Sequence, residues 1–184
     1  MISITASTLM QIMPAATSRA FVFAQPLWEA MQEFRIDTCL RAAAFLGQVA
    51  VESGSLRYVR ELWGPTPAQM RYEGSEALGN TVPGDGYRFR GRGLIQITGR
   101  ANYARAGEAL ALDLIDQPEL LEDPENAARS AAWFFADAGC CELADEQKFS
   151  QITKTINGGM NGHAERSAAY WRAREALGCV VVSS

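Results

Sequence analysis

The sequence predicts a mostly α fold in which two helical lobes flank a Gly/Pro-rich loop and a small β-ribbon region that line a cleft. Three observations predict it. Apolar residues recur at helical spacing in both the first and the last thirds of the chain. Capping residues and prolines sit where helices start and stop. The middle, from Glu61 to Gly91, holds Gly64, Pro65, Pro67, Gly74, Gly79, Pro83, Gly84 and Gly86, which break any long periodicity.

A first helix is expected over about residues 5–13, ending before Pro14, and a second from about Pro26, a good first-turn residue, to Arg35. Thr38 can cap the next, whose run CLRAAAFLGQVAV leads to Glu52 and stops at Ser53-Gly54. Being apolar nearly all round, it reads as a central buried helix. Thr66-Pro67 can start a short helix inside the loop. GYRFRGRGLIQITG alternates around Leu94, Gln96 and Thr98, which predicts short strands. Further helices are expected at about 100–111, 124–138 (Asp123 cap, Pro124 in the first turn), 145–156 and 163–177, the last closed by Gly178.

At 184 residues the chain fits a single domain with a sizeable core. No repeat or low-complexity linker marks a second module. No window approaches the roughly 18–20 apolar residues of a membrane span, so stable membrane insertion is not expected. The start, MISITASTLMQIMPAAT, lacks the basic and apolar blocks of a secretory signal, which predicts synthesis in the cytoplasm. Cys39, Cys140, Cys141 and Cys179 show no C-x-x-C spacing and are expected as free, buried or semi-buried thiols. His163 is the one histidine. It is expected on a helix surface, and it argues against a zinc site built on several imidazoles.

The net charge of −4 hides an asymmetry. Residues 52–105 hold eight arginines against five acids, a balance of +3, whereas the remainder carries −7. A positive surface there would favour an anionic polymer, unless the arginines pair structurally with those acids. The acidic total and the lack of a recognisable module disfavour nucleic acid as a partner.

Within that basic segment, QVAVESGSLRYVRELW places Glu52 at the end of the apolar helix and Glu61 nine positions on. Such a pair is either two solvated surface acids or a working acid and base. Hydrolysis of a glycosidic bond needs two carboxyl groups astride it, one protonated and one ionised. Val49, Val51 and Phe45 are expected to wall Glu52 and raise its pKa by desolvation, while Glu61, in a looser segment beside Arg60, is expected to stay ionised.

The string VESG with Glu61, then PGDGYRFRGRGLIQITGRANY (83–103), INGG (156–159) and an arginine-bearing last helix resembles the chitinase-type family 19 glycoside hydrolases. Within them it resembles the bacteriophage branch, endolysins that cut cell-wall peptidoglycan. The resemblance spans about residues 40–177, preceded by N-terminal helices over 1–37, and implies a lysozyme-like α+β fold. It implies Glu52 as general acid and Glu61 as general base of an inverting hydrolysis without a cofactor. It also implies that Thr98 holds the attacking water, that Gln96, Asn102 and Asn157 contact sugar, and that Arg166 supports the carboxylates. Tyr87, Phe89 and Tyr103 can stack on sugar faces or belong to the core. Gly91 and Gly93 can let backbone approach a substrate or simply permit positive φ.

Many relatives have a histidine where Val51 stands, and RELWGPTP lacks their asparagine-tyrosine element. Glu73 and Asp85 are therefore competing second acids; their structural alternatives are a salt bridge to a loop arginine and a turn residue, respectively. The implied partner is the peptidoglycan glycan strand, met by a monomer made in the host cytoplasm. It would reach the periplasm and wall once a holin-like pore former has opened the membrane. Rival readings are a chitinase, a lytic transglycosylase needing one glutamate, and an inactive wall-binding protein of the same fold. Peptidase or amidase chemistry is disfavoured, with neither a metal site nor a Cys/His pair in evidence.

Overall fold

A computed structural model describes residues 2–179. In chain order the helices are α1 (Ala6–Ile12), α2 (Ser18–Glu33), α3 (Cys39–Glu52), α4 (Pro67–Met70), α5 (Asp85–Arg88), α6 (Arg100–Leu110), α7 (Pro124–Asp137), α8 (Cys140–Asp145), α9 (Phe149–Asn157) and α10 (His163–Ala176). Short 3-10 turns at Pro14–Ala16, Glu76–Leu78 and Pro118–Glu122 join them.

The central helix forms as its sequence dictates. The Thr38 hydroxyl accepts the Arg41 amide, and nine consecutive residues, Ala42 to Ala50, are buried. Its closest partner is α10, and the reason is steric. A Cβ on Gly47 would lie 3.1 Å from the Cα of Tyr170, so only the bare glycine lets the two backbones come this near. Around this pair, α1, α2, α7, α8 and α9 close the larger hydrophobic cluster, which includes Phe23, Leu27, Phe45, Leu46 and Phe135. A second cluster, with Phe89, Ile97, Tyr103, Leu110, Leu121 and Trp133, forms the smaller lobe, and α7 faces both. Phe89 and Tyr103 thus belong to the core.

Four expectations need correction. Helix α2 begins at Ser18 rather than at Pro26, which lies inside it. Its buried stripe Ala20, Phe23, Leu27, Ala30 and Met31 packs on α7, and that burial outweighs the single backbone bond the proline removes. The expected ribbon reduces to isolated bridges, Arg60 with Arg92 and Arg92 with Ile97. Positive φ at Gly93, Gln96 and Gly99 turns the chain too often for a strand. The helix expected at 145–156 starts only at Phe149, as α9, and a separate short helix, α8, ends at Asp145 before it, because Gln147 is left-handed (φ 56°) and Lys148 closes the end of α8 through the Leu143 carbonyl (2.8 Å).

The fourth concerns the cysteines. Cys140 and Cys141 are free and buried, and burial pushes their thiols up to about 12 and about 11. Cys39 and Cys179, however, form a disulfide across 140 residues of sequence. Antiparallel packing of α3 on α10 sets the start of one beside the end of the other, a proximity that local spacing cannot reveal. Cross-linking so long a loop restricts the unfolded chain strongly, typically by about 2–4 kcal/mol. Cys39→Ser, or reduction of the parent, is expected to lower the midpoint of thermal unfolding by several degrees. Calorimetry with and without reductant checks it, and the variant should show no reductant effect.

Candidate active site

Glu52 ends α3, where the chain reverses. Gly54, Ser55 and Leu56 are all left-handed (φ 56°, 61° and 66°), a conformation that costs a branched side chain appreciable energy. The turn is held by what it buries. Ser53 Oγ donates to the Val49 carbonyl (2.6 Å) and accepts the Leu56 amide (2.8 Å). Leu56 is fully buried, and its carbonyl accepts Nε of Arg19 (3.1 Å).

The setting of Glu52 differs from the apolar wall expected of it. Val49 and Phe45 point into the core at 0 % exposure. Oε1 of Glu52 instead lies 2.7 Å from Nη2 of the buried Arg166 on α10. That contact is an ion pair in distance without hydrogen-bond direction, and the oxygen is shut from solvent with no other donor. The side chain is 18 % exposed, so it is neither sealed in the core nor free in solvent.

Arg166 is fixed from several sides. Its Nη1 donates to Oε1 of Gln48 (2.7 Å), four residues before Glu52 on the same helix, and its Nε to the Asn161 carbonyl (3.2 Å). Gln48, at 0 % exposure, donates in turn to Oγ1 of the fully buried Thr153 (3.1 Å) on α9. Thr153 meets Nδ1 of His163 (3.1 Å), the first residue of α10, whose Nε2 faces Ser150 and Ser167. His163 is therefore half-buried at the end of a polar chain that runs through the core to Glu52. Gln48 and Thr153 carry no separate sequence signal, because a glutamine and a threonine on apolar helices look like tolerated exceptions.

Glu61 is held far more firmly than its loop suggested. Oε1 accepts Nε2 of Gln69 (3.0 Å) and the Tyr72 hydroxyl (3.3 Å), while Oε2 accepts the Gly91 amide (3.1 Å). Its own amide donates to the Gly91 carbonyl (2.8 Å). Arg60 turns away to Glu122 (3.1 Å). Gln69 is the organiser: it closes the Thr66 capping box, and its side chain also reaches the Leu62 carbonyl and the Gly64 amide. Burial, and then the charge of Glu61, push the Tyr72 phenol up, so it remains a donor to the carboxylate.

Gly91 also joins Glu61 to the next group. A Cβ there would sit 2.8 Å from Oε1 of Gln96 and 3.3 Å from Oγ1 of Thr98, so both side chains lie over the bare glycine. Thr98 donates to the Gln96 carbonyl (2.9 Å), and Asn102 to the Thr98 carbonyl (2.7 Å). Gln96, Thr98 and Asn102 share a pocket of about 190 Å³ with Trp133, Phe134 and Ile156. Asn157 follows Ile156 at the end of α9, with a buried Nδ2 that meets no acceptor. Tyr87, 54 % exposed, stands edge-on to Trp63 (5.3 Å between ring centres), and Trp63 in turn neighbours Tyr72 (6.2 Å).

The competing acids are occupied elsewhere. Glu73 has no arginine partner among the described residues; its oxygens accept the amides of Gly84 (2.6 Å) and Gly86 (2.8 Å). Asp85, 1 % exposed, accepts two donors of Arg100 (2.6 and 2.8 Å) and the Val82 amide, and the Arg100 bonds hold its carboxyl below the usual range.

The family model described as chitinase class I matches residues 40–141. A glycosyl hydrolase family 19 domain-containing protein of Haemophilus influenzae is 39% identical over 92 residues, covering 50% of this chain and 44% of that protein. An endochitinase of Arabidopsis thaliana is 36% identical over 118 residues, 64% of this chain and 38% of that one. The chain thus spans less than half the length of these relatives. Chitinase C from Streptomyces griseus superposes with a TM-score of 0.77 at 22% identity, covering 95% of this chain and 92% of that one. A bacterial family 19 chitinase gives the same TM-score at 23% identity, with 98% of both chains covered. At these identities the two structures establish the fold.

Two outcomes separate the groups described. Gln48→Leu removes the acceptor that orients Arg166 and is expected to lower kcat about tenfold with little change in KM; steady-state kinetics on a soluble glycan checks it. Asp85→Asn is expected to keep kcat but cost on the order of 2 kcal/mol of stability at neutral pH, leaving Arg100 without its partner. Because folding lowers the Asp85 pKa, its contribution is complete above the ordinary value of about 3.9 and is lost as pH falls through the lowered one. Denaturant unfolding of parent and variant should therefore converge in acid.

Proposed function

The chain belongs to the chitinase class I family, glycoside hydrolase family 19, and from that membership we propose that it hydrolyses β-1,4 bonds between N-acetylated sugars by an inverting mechanism. Glu52 is the acid and Glu61 the base. The observation that carries this reading is the contrast between the two carboxyl groups. One meets a single buried cation; the other is fixed by three donors beside the pocket that Gln96, Thr98 and Asn102 share with Trp133 and Phe134.

Each step follows from those contacts. The proton on Glu52 passes to the oxygen of the departing sugar, and the carboxylate left behind falls against the Arg166 guanidinium. That pairing lowers the energy of a charge that develops only as the bond breaks, the kind of interaction that accelerates a reaction. Glu61, held in place by its three donors, takes a proton from water as the oxygen attacks the anomeric carbon from the opposite face. Thr98 can both accept and donate, so it orients that water without competing as an acid. The amides of Gln96, Asn102 and Asn157 meet sugar hydroxyls and N-acetyl groups, Tyr87 offers an aromatic face, and no cofactor enters.

The substrate is peptidoglycan and the role is that of an endolysin. Support comes from the arginine surplus of residues 52–105, which suits an anionic polymer better than a neutral one; four of those arginines are paired, Arg60 and Arg92 with the one residue Glu122, Arg100 with Asp85 and Arg105 with Asp137. Chitin is the second reading, favoured by the Arabidopsis relatives described as endochitinases. The enzyme acts as a monomer at the wall, after synthesis in the host cytoplasm and passage through a holin-like lesion. The Cys39–Cys179 bridge is in keeping with that destination, since disulfides persist in the periplasm and outside the cell.

Glu52→Gln is expected to slow clearing of a cell-wall suspension by about a thousandfold. Mass spectrometry of the parent's digest should show reducing ends that have gained water. NMR should show the α anomer as the first product. Parent-like clearing by Glu52→Gln, or anhydro sugar ends, would sink the assignment.

A further inference from the structure

Beyond the bridge that joins Arg60 to Arg92, a pocket of about 400 Å³ is lined by Arg60, Tyr87, Arg88, Arg90, Arg92 and Glu122, with Pro118 and Glu119 at its edge. Four guanidinium groups face two carboxylates, a surplus of two positive charges. The pairing within it is uneven. Arg60 and Arg92 both spend their charge on the one residue Glu122 (3.1 and 2.8 Å). Arg88 donates only to the neutral carbonyls of Ile115 and Asp116.

Arg90 is the telling residue. It is 7 % exposed, and among the described residues no carboxylate lies within ion-pair distance of it. Its Nη1 donates to the Tyr87 carbonyl (2.8 Å), its guanidinium stacks 4.1 Å from the centre of the Tyr87 ring, and its buried Nε donates to nothing. Burial, and then repulsion from Arg92, hold its pKa below the usual guanidinium value. A buried cation without a direct ion-pair partner is costly to keep; the carboxylate whose charge reaches it, Glu122, is already shared by Arg60 and Arg92, and a ligand oxyanion in this pocket would supply the missing partner.

A relay of neighbouring side chains links the lining of this pocket to the candidate catalytic groups. Tyr87 lines it and touches Trp63, Trp63 touches Tyr72, and the Tyr72 hydroxyl reaches Glu61. An aromatic wall therefore leads from the proposed base to the arginines.

We propose that this pocket is a subsite for carboxylate groups on the peptide substituents of the glycan, with Arg90 as the central cation and Arg60 and Arg88 at its rim. The proposal rests on the peptidoglycan reading above and adds to it the feature that separates a peptide-bearing strand from a bare one. Guanidinium groups suit the task because their planar donor array matches a carboxylate.

The test uses the full chain and two soluble wall fragments, one bearing its peptide stems and the other the same glycan with the stems removed enzymatically. Calorimetric titration of the parent should show about tenfold tighter binding of the stem-bearing fragment, equivalent to about 1.4 kcal/mol. That advantage should shrink as salt rises from about 0.05 to 0.5 M, because the contacts are electrostatic. Arg90→Gln should erase the preference; the salt series on the parent stands if that variant does not fold. Equal affinity of the parent for the two fragments, or a preference indifferent to salt, overturns the subsite. Failure of the peptidoglycan reading has a different signature: the parent would cleave an N-acetylglucosamine hexamer and leave both wall fragments intact.

Discussion

The structure depends on the union of α3 with α10. Arg166 cannot be buried alone, since an unpaired guanidinium in a protein interior costs several kcal/mol. It is tolerable because α3 presents Gln48 and Glu52 one helical turn apart on the face that meets it. That register needs close approach of the backbones, which Gly47 permits beneath Tyr170, and the disulfide fastens it at its far end. The ion pair at Glu52 is thus an outcome of helix packing across more than a hundred residues of sequence.

The second carboxylate is organised on a different principle. Apart from the single turn of α4 that carries Gln69, nothing around Glu61 is regular secondary structure, yet its carboxylate accepts three hydrogen bonds. Gln69, Tyr72 and the Gly91 amide converge on it, and Asn80 ties the same loop to the start of α6 by accepting the Arg100 amide. Side-chain amides do here what a β-ladder does elsewhere. A segment rich in glycine and proline can be held rigid in this way while its backbone stays close to the surface, where a polymer can reach it.

Much of this was legible in the residues. Thr38, Ser53 and the apolar run between them gave α3 its limits, Pro124 began α7, and the Gly/Pro spacing marked the loop. What the residues hid was non-local. Pro26 reads as a helix start until the stripe from Ala20 to Met31 is seen against α7. The alternation after Gly86 reads as strand until the positive φ angles at Gly93, Gln96 and Gly99 are known. Cys39 and Cys179 read as unrelated thiols, and Phe89 and Tyr103 could be either sugar platforms or core. Of the candidate residues, Gln96, Thr98 and Asn102 do lie together, whereas the apolar wall expected at Glu52 is replaced by Arg166. Gln48 and Gln69 had no motif to betray them, and Arg90, although inside the block 83–103, had nothing there to set it apart, because their importance lies in what they face.

The long covalent loop has a consequence for survival among proteases. Nearly every residue discussed, including the exposed Gly/Pro stretch that an endopeptidase would attack first, lies between the two bridged cysteines. A single cut in that stretch leaves the fragments tethered as well as packed, so the severed protein stays one particle in oxidising surroundings. Only where thiols are kept reduced would the halves be free to drift apart.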